Sequence, residues 1–224
     1  MITLGTAPEV YAPVAAQLQA VMVDDWAGAR RKLPDCTAVL AGPGLAAPGV
    51  SAALRDALAE LWREAPVPLV VDASALSWLP PESGVSRAPR VITPHPGEAA
   101  RLLARTVGEV QADRPGAVRA LSRRYGRCHV VLKGYQTLVG SAEGRLFVNG
   151  SGDAALGQGG TGDVLAGYLA GLLAQPPLER DFPQTVRYAV WQHGAAADVL
   201  SARRANWTPE DLIGQLGEKR MGFR

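Results

Sequence analysis

Gly157-Gln158-Gly159-Gly160-Thr161-Gly162-Asp163 is the segment whose residue types and spacing point most directly to chemistry. Its four glycines allow a tight turn that aims backbone N–H groups at an anion. The run Val164–Ala174 that follows reads as a helix, whose amino end adds positive dipole at the same place. Gly159, Gly160, Thr161 and Gly162 are therefore the expected anion hole. Asp163 is a carboxylate in a loop otherwise built to attract negative charge, which marks it as a candidate general base. Such a base takes a proton from an attacking hydroxyl while phosphate rests on the amides, a contribution of about 10²–10⁴-fold. The plain alternative is a surface turn capped by Asp163, worth about 0.3–1 kcal/mol through the helix dipole.

Three further groups stand beside this loop. In Thr93-Pro94-His95-Pro96-Gly97-Glu98 the two prolines stiffen a turn that presents His95, a hydrogen-bonding candidate for a substrate, and place Glu98 in the first turn of a helix. Glu98 is equally read as a cap or as a contact to metal-bound water. Lys133-Gly134-Tyr135-Gln136-Thr137 connects two strands; its lysine suits a nucleotide phosphate and its glycine a close ligand approach, or the whole is an ordinary hairpin. Asn149–Asp153 has the composition of a loop or small flap. His193, at helical spacing from Val186, Ala189, Val190 and Ala197, is expected in the core.

The elements that must position these groups alternate between strand-like and helix-like runs, the pattern of an α/β sheet with helices on its faces. Strands are expected at Thr37–Ala41, Pro68–Ser74, Arg90–Thr93, Cys128–Leu132, Gln136–Gly140 and Arg145–Val148, the last ones partly antiparallel. Helices are expected at Ser51–Glu64, Gly97–Arg105, Ala117–Tyr125, Asp163–Ala174, Gln184–Ser201 and Pro209–Leu216. Gly167 and Gly171 are expected to let their helix pack closely on the sheet. Gly42-Pro43-Gly44, Asp72, Pro94-His95-Pro96 and Lys133-Gly134 each follow a strand, so parallel strands bring them to the carboxyl edge where open α/β sheets bind ligands. The 224 residues fit one domain, expected here as a single unit over 1–224. A net charge of +2 with scattered Lys and Arg gives no footprint for nucleic acid. Cys36 and Cys128 lie far apart and lack metal-ligand spacing. With no signal peptide and no apolar run of membrane-spanning length read in the sequence, a soluble cytoplasmic protein is expected.

Taken together, AGPGL (Ala41–Leu45), VVDASAL (Val70–Leu76), VITPHPGEAARLL (Val91–Leu103), VVLKGYQTLV (Val130–Val139) and GQGGTGDVLAG (Gly157–Gly167), with the weaker WQHGAAAD (Trp191–Asp198), resemble the ADP/ATP-dependent NAD(P)H-hydrate dehydratases of the ribokinase-like superfamily. The PHPGE turn combined with GGTGD carries the specificity. The resemblance implies a ribokinase-like α/β fold, mostly parallel, and repair of reduced nicotinamide cofactors hydrated on the ring. It implies that Gly44, His95 and Asp163 contact the hydrated cofactor, and that Lys133, Gly134, Tyr135, Gln136, Thr137 and Gly162 hold the adenine nucleotide. ADP (or ATP) is the implied co-substrate, with ADP favoured by a composition rich in Ala, Gly and Arg. Mg²⁺ is implied with the phosphates, no metal ligand being assigned. A homo-oligomer, tetrameric by resemblance, and NAD(P)H-hydrate epimerase as functional partner are also implied. In the implied reaction Asp163 takes the hydroxyl proton, the oxygen attacks the terminal phosphoryl group, and the ring nitrogen expels phosphate.

The chain departs from the family at Ser74, where a second acidic residue is usual, which leaves a metal or water role for Asp72 open. Met1–Thr6 resembles the strand after the family's first βα unit, so an N-terminally truncated chain is expected, through a misassigned start or as a fragment. Two other readings share the anion hole: a superfamily kinase acting on a small hydroxylated compound, and an inactive nucleotide-binding fragment.

Overall fold

A computed structural model describes residues 1–45 and 51–218, in two compact units that divide between Thr37 and Ala38. The first unit is a βαβα segment: β1 (Thr3–Thr6), α1 (Pro8–Gln17), β2 (Met22–Asp25) and α2 (Trp26–Arg31). β1 and β2 are parallel, Thr3 opposite Met22, as a helical crossover requires. Asp25 caps α2 by accepting from the Gly28 N–H at 2.6 Å, and Asp24 pairs with Lys32 at 2.9 Å.

The second unit runs β3 (Val39–Ala41), α3 (Ala52–Glu64), β4 (Leu69–Val71), β5 (Arg90–Ile92), α4 (Pro96–Leu103), α5 (Val107–Ala112), α6 (Arg114–Arg124), β6 (His129–Leu132), β7 (Leu138–Gly140), β8 (Phe147–Val148), α7 (Thr161–Leu173), α8 (Pro176–Glu179), α9 (Phe182–Arg203) and α10 (Pro209–Glu218). Short 3₁₀ turns follow β4 at Ala73–Trp78 and precede α7 at Ala154–Gly157. The sheet order is β3-β4-β5-β6-β7-β8, with the first four strands parallel and the last two antiparallel additions. This is the mostly parallel, helix-flanked sheet expected of a ribokinase-like chain.

Strand residues alternate between two apolar layers, as a sheet covered on both faces requires. Leu69, Val71, Ile92, Val130, Leu132 and Leu138 pack with Leu58 and Trp62 of α3, Leu102 of α4 and Leu121 of α6. Val70, Val91, Val131 and Val139 face the other way, onto Leu165, Leu169 and Leu173 of α7 and Val186, Ala189 and Val190 of α9. A smaller cluster joins α9 to α10 through Ala197, Leu200, Trp207 and Leu212.

Each expected strand and helix of this unit is present, with ends shifted by a few residues. The shortest helices were not anticipated, although α5 carries a visible start signal: Thr106 and Glu109 form a reciprocal capping box. Gly167 and Gly171 do not face the sheet. Both are exposed, with no described residue within 4 Å of where a Cβ would stand, and Leu165, Leu169 and Leu173 make the contact instead. Cys128 is buried in the first apolar layer, and burial pushes its thiol pKa upward. Among the described residues no helix is long and apolar enough to cross a membrane.

Candidate active site

The parallel strands deliver their carboxyl ends to one edge, as the expected convergence requires. Asp72 is the first residue past β4, Thr93 the first past β5 and Lys133 the first past β6. Lys133 Nζ donates to Asp72 Oδ1 at 2.8 Å, closing an ion pair across the end of the intervening β5. The Asp72 side chain is 1% exposed and that of Lys133 19%. A buried carboxylate of this kind persists only when a counter-charge compensates its desolvation. Lys133 is thus neither an exposed hairpin lysine nor a free phosphate ligand in this structure; its ammonium is shared with Asp72.

The amino end of α7 meets this pair. A Cβ on Gly162 would stand 3.2 Å from Lys133 Nζ and 3.8 Å from Asp72 Oδ2, so glycine there keeps the ammonium accessible to whatever lies on the helix end. Gly160, at φ +90°, is the N-cap; having no side chain, it leaves the first amides of α7 without a side-chain acceptor. Asp163 is consequently the third residue of the helix: it is not the N-cap, although as an acidic residue of the first turn it still suits the helix dipole. Partial burial raises the pKa of the Asp163 carboxyl, as does the neighbouring charge of Asp72, and Lys133 opposes both. A carboxylate, a lysine–aspartate pair and a run of uncapped amides therefore share one place, the parts needed to move a proton beside a bound phosphate.

Thr161 is buried and anchors the loop from within. Its Oγ1 donates toward the Leu156 carbonyl at 2.7 Å and the Gln158 carbonyl at 3.0 Å. His193 of α9 is buried as expected, and its Nε2 donates to the Thr161 carbonyl at 2.9 Å. Burial lowers its pKa to about 4, with Lys133 adding to the shift, so the ring is neutral at physiological pH.

His95 has a task the sequence did not reveal. It is the N-cap of α4: its Nδ1 accepts from the Gly97 and Glu98 N–H groups at 3.0 and 3.3 Å, and Glu98 Oε2 accepts from the His95 N–H at 2.8 Å. Glu98 accordingly takes the capping role of its two readings. An Nδ1 that accepts amide protons leaves Nε2 as the ring's protonated edge, and the side chain is half exposed. This turn abuts the Lys133–Thr137 turn: the Lys133 N–H donates to the Pro94 carbonyl at 2.9 Å.

Within that second turn Gly134 (φ +124°) faces Arg114, whose guanidinium donates to the carbonyls of Leu132 at 3.2 Å and Gln136 at 3.4 Å. Arg114 is a brace that no sequence pattern marked. Thr137 Oγ1 closes the turn onto the Gly134 carbonyl at 3.1 Å, and Tyr135 is 88% exposed. Gly44 lies in the turn after β3 at φ +77°, with none of the described residues within 4 Å of where a Cβ would be. The structure thus joins Asp163, Gly162, Thr161 and Lys133 directly and sets His95 and the Gly134–Thr137 turn on the same edge. Asp72 and His193, left open or assigned to the core by the sequence, belong with them.

The family described as NAD(P)H-hydrate dehydratase matches residues 1–217. The chain belongs to that family. Among curated proteins it is 41% identical over 195 residues to the ADP-dependent (S)-NAD(P)H-hydrate dehydratase of Neisseria meningitidis serogroup B, covering 84% of this chain and 62% of that protein. It is 44% identical over 169 residues to the Bifunctional NAD(P)H-hydrate repair enzyme Nnr of Gloeobacter violaceus, covering 74% of this chain and 31% of that one. The chain therefore spans less than two thirds of the length of these curated relatives. Its fold matches the crystal structure of the ADP/ATP-dependent NAD(P)H-hydrate dehydratase from Bacillus subtilis, co-crystallized with ATP/Mg²⁺, at a TM-score of 0.79 and 27% identity, covering 96% of this chain and 76% of that one. In this chain Asp72 is followed two residues on by Ser74, and Asp72 has its counter-charge in Lys133.

Proposed function

We propose that this chain dehydrates (S)-NAD(P)H hydrate to NAD(P)H at the expense of ADP, releasing AMP and phosphate. The observation that carries the reading is Asp163 on the third residue of α7, its carboxyl pKa raised, beside the Lys133–Asp72 pair and the uncapped helix amides. Family membership and the name of the Neisseria relative, an ADP-dependent (S)-NAD(P)H-hydrate dehydratase, support it. In this reading residues 1–224 act as one dehydratase domain, which the match over residues 1–217 supports.

The terminal phosphoryl group of ADP rests on the amides of Gly159–Gly162, with Lys133 neutralising charge from the side. The Lys133–Thr137 turn and Gly162 hold the rest of the nucleotide, and Gly44 and the Nε2 edge of His95 orient the hydrated ring. Asp163 takes the proton from the ring hydroxyl as its oxygen bonds to phosphorus and the bond to AMP breaks. The ring nitrogen then expels phosphate, and a proton leaves the adjacent ring carbon to solvent, restoring the dihydronicotinamide. Preorganised donors facing the transferring group are the main lever in such chemistry.

Among the described residues no group of three His, Cys, Asp or Glu side chains could hold a metal ion. Mg²⁺ would be carried mainly on the phosphates and water; Asp163 is the exposed carboxylate at hand, Asp72 being buried against Lys133. When bound, the ion would offset phosphate charge. We further propose a homo-oligomer, resting on the resemblance alone, and an epimerase as functional partner, supported by relatives named as bifunctional repair enzymes. The cytoplasmic location expected from the sequence goes with this reading.

Incubation of the protein with hydrated NADH, ADP and Mg²⁺ should restore the reduced-nicotinamide absorbance. Asp163→Asn, isosteric on an exposed helix turn, should keep the fold and lose at least about 10²-fold in rate. A stable phosphorylated product would instead indicate a kinase, and wild-type turnover by Asp163→Asn would remove Asp163 from the mechanism.

A further inference from the structure

The Trp191–Asp198 stretch of α9 has no part in the chemistry proposed above, yet it holds the segment that carries the anion hole at both ends. At the near end, Ser151 Oγ donates to the Trp191 carbonyl at 2.8 Å. Both carboxylate oxygens of Asp198 accept from the Gly152 N–H, at 3.1 and 3.0 Å. Gly194 lies between these two contacts, and a Cβ there would collide with Ser151 Oγ and with the Ser151 backbone. The missing side chain is therefore a notch that admits the strand of chain at Ser151. At the far end, His193 Nε2 donates to the Thr161 carbonyl, the first residue of α7. Between the two ends, Leu156 packs on the α9–α10 cluster, and Thr161 ties back to the Leu156 and Gln158 carbonyls.

We infer that His193, Gly194 and Asp198 are positioning residues: they strap residues 151–161 onto α9 and thereby fix the glycine loop and Asp163 in register with Lys133. The spacing is what one helix needs for this. Positions 191, 194 and 198 lie on one stripe, and 193 points to the adjacent one. A glycine-rich loop has few side chains with which to hold itself, and those it has, Thr161 and Gln158, bond only within the segment. An outside brace adds the order that an anion hole requires before substrate arrives. The functional half of this inference rests on the phosphoryl-transfer reading; the bracing half does not.

The test compares wild type with His193→Ala, His193→Gln, Gly194→Ala and Asp198→Ala in the full chain. Asp198 is exposed, so Asp198→Ala should fold. Gly194→Ala gains helix propensity but must displace Ser151, and it is read only where its circular dichroism matches the wild type. By hydrogen–deuterium exchange, amides in residues 150–162 should exchange at least tenfold faster in His193→Ala, Gly194→Ala and Asp198→Ala, with β4 and β6 unchanged. His193→Gln, which retains an N–H donor, should recover most of the protection. In the repair assay kcat/KM for ADP should fall at least tenfold in His193→Ala and Gly194→Ala and recover in His193→Gln. Unchanged exchange at 150–162 in folded Gly194→Ala and Asp198→Ala overturns the inference. So does wild-type kcat/KM for ADP in both His193→Ala and Gly194→Ala. If the wild type repairs no hydrate, the functional reading fails by itself, and the exchange comparison still decides the brace.

Discussion

Asp72 and Lys133 are 61 residues apart in the chain and 2.8 Å apart in the fold, and what they do is set the proton affinity of a third group. Asp163 is the base in the proposed reaction and must be ionised to act. Its pKa is raised from an ordinary 3.8 by partial burial first and by Asp72 second, while Lys133 pulls it down. Activity should therefore decline on the acid side with a midpoint above that ordinary value. In Asp72→Asn the opposing carboxylate is gone and Lys133 is freed, so the acid limb of the kcat/KM profile should move to lower pH. Lys133→Met should move it the other way, with a lower maximum. Coincident limbs in all three proteins would show that another group titrates. None of this coupling is legible from spacing. Asp163 could be picked from the sequence as a carboxylate in a glycine-rich turn and Lys133 as a lysine beside a glycine at a strand end, but their dependence on Asp72 exists only where β4 and β6 flank β5.

At the level of elements, α3 and β5 are locked together by one side chain. Arg90, the first residue of β5, is buried and donates to the carbonyls of Trp62 at 2.7 Å, Ala65 at 2.6 Å and Val67 at 3.0 Å. It satisfies the carbonyl end of α3, where a cation also suits the helix dipole. Burial lowers its pKa to about 10, which leaves it charged at neutral pH. Each buried acceptor left without a donor costs about 1–3 kcal/mol. Arg90→Ala should therefore lose on the order of 3 kcal/mol in urea unfolding, and Arg90→Lys less, since one ammonium cannot reach all three carbonyls. The strands and long helices were visible because buried β-branched runs and 3.6-residue periodicity declare themselves locally. Arg90 reads locally as the polar start of a strand. Its partners lie in another element, and nothing in the residues around it announces them. The 3₁₀ turn at Ala73–Trp78 escaped for a related reason, since Ala73 adopts a left-handed φ of +52° that no alanine signals in sequence.

For the molecule as a whole, two neutral histidines tie stability to pH. His129 and His193 each have a pKa near 4, lowered first by burial and further by Arg187 and Lys133 respectively. In the unfolded chain each titrates near its ordinary 6.5, so between pH 6.5 and 4 the unfolded state binds more protons. The stability they support is complete above 6.5 and is lost as pH falls toward 4, by up to about 1.4 kcal/mol per pH unit for each. Urea midpoints should be flat above neutrality and decline below pH 6.5, and His193→Gln should roughly halve the slope. A slope unchanged in His193→Gln would mean that this ring is protonated in the native state. The Lys133–Asp72 pair has a consequence of another kind. Because side chains alternate between two layers, sliding β6 by one position would transpose its valines and also turn Lys133 away from Asp72 and Gly162. A mispaired sheet could not be both well packed and active, so the reaction centre doubles as a checksum on strand alignment.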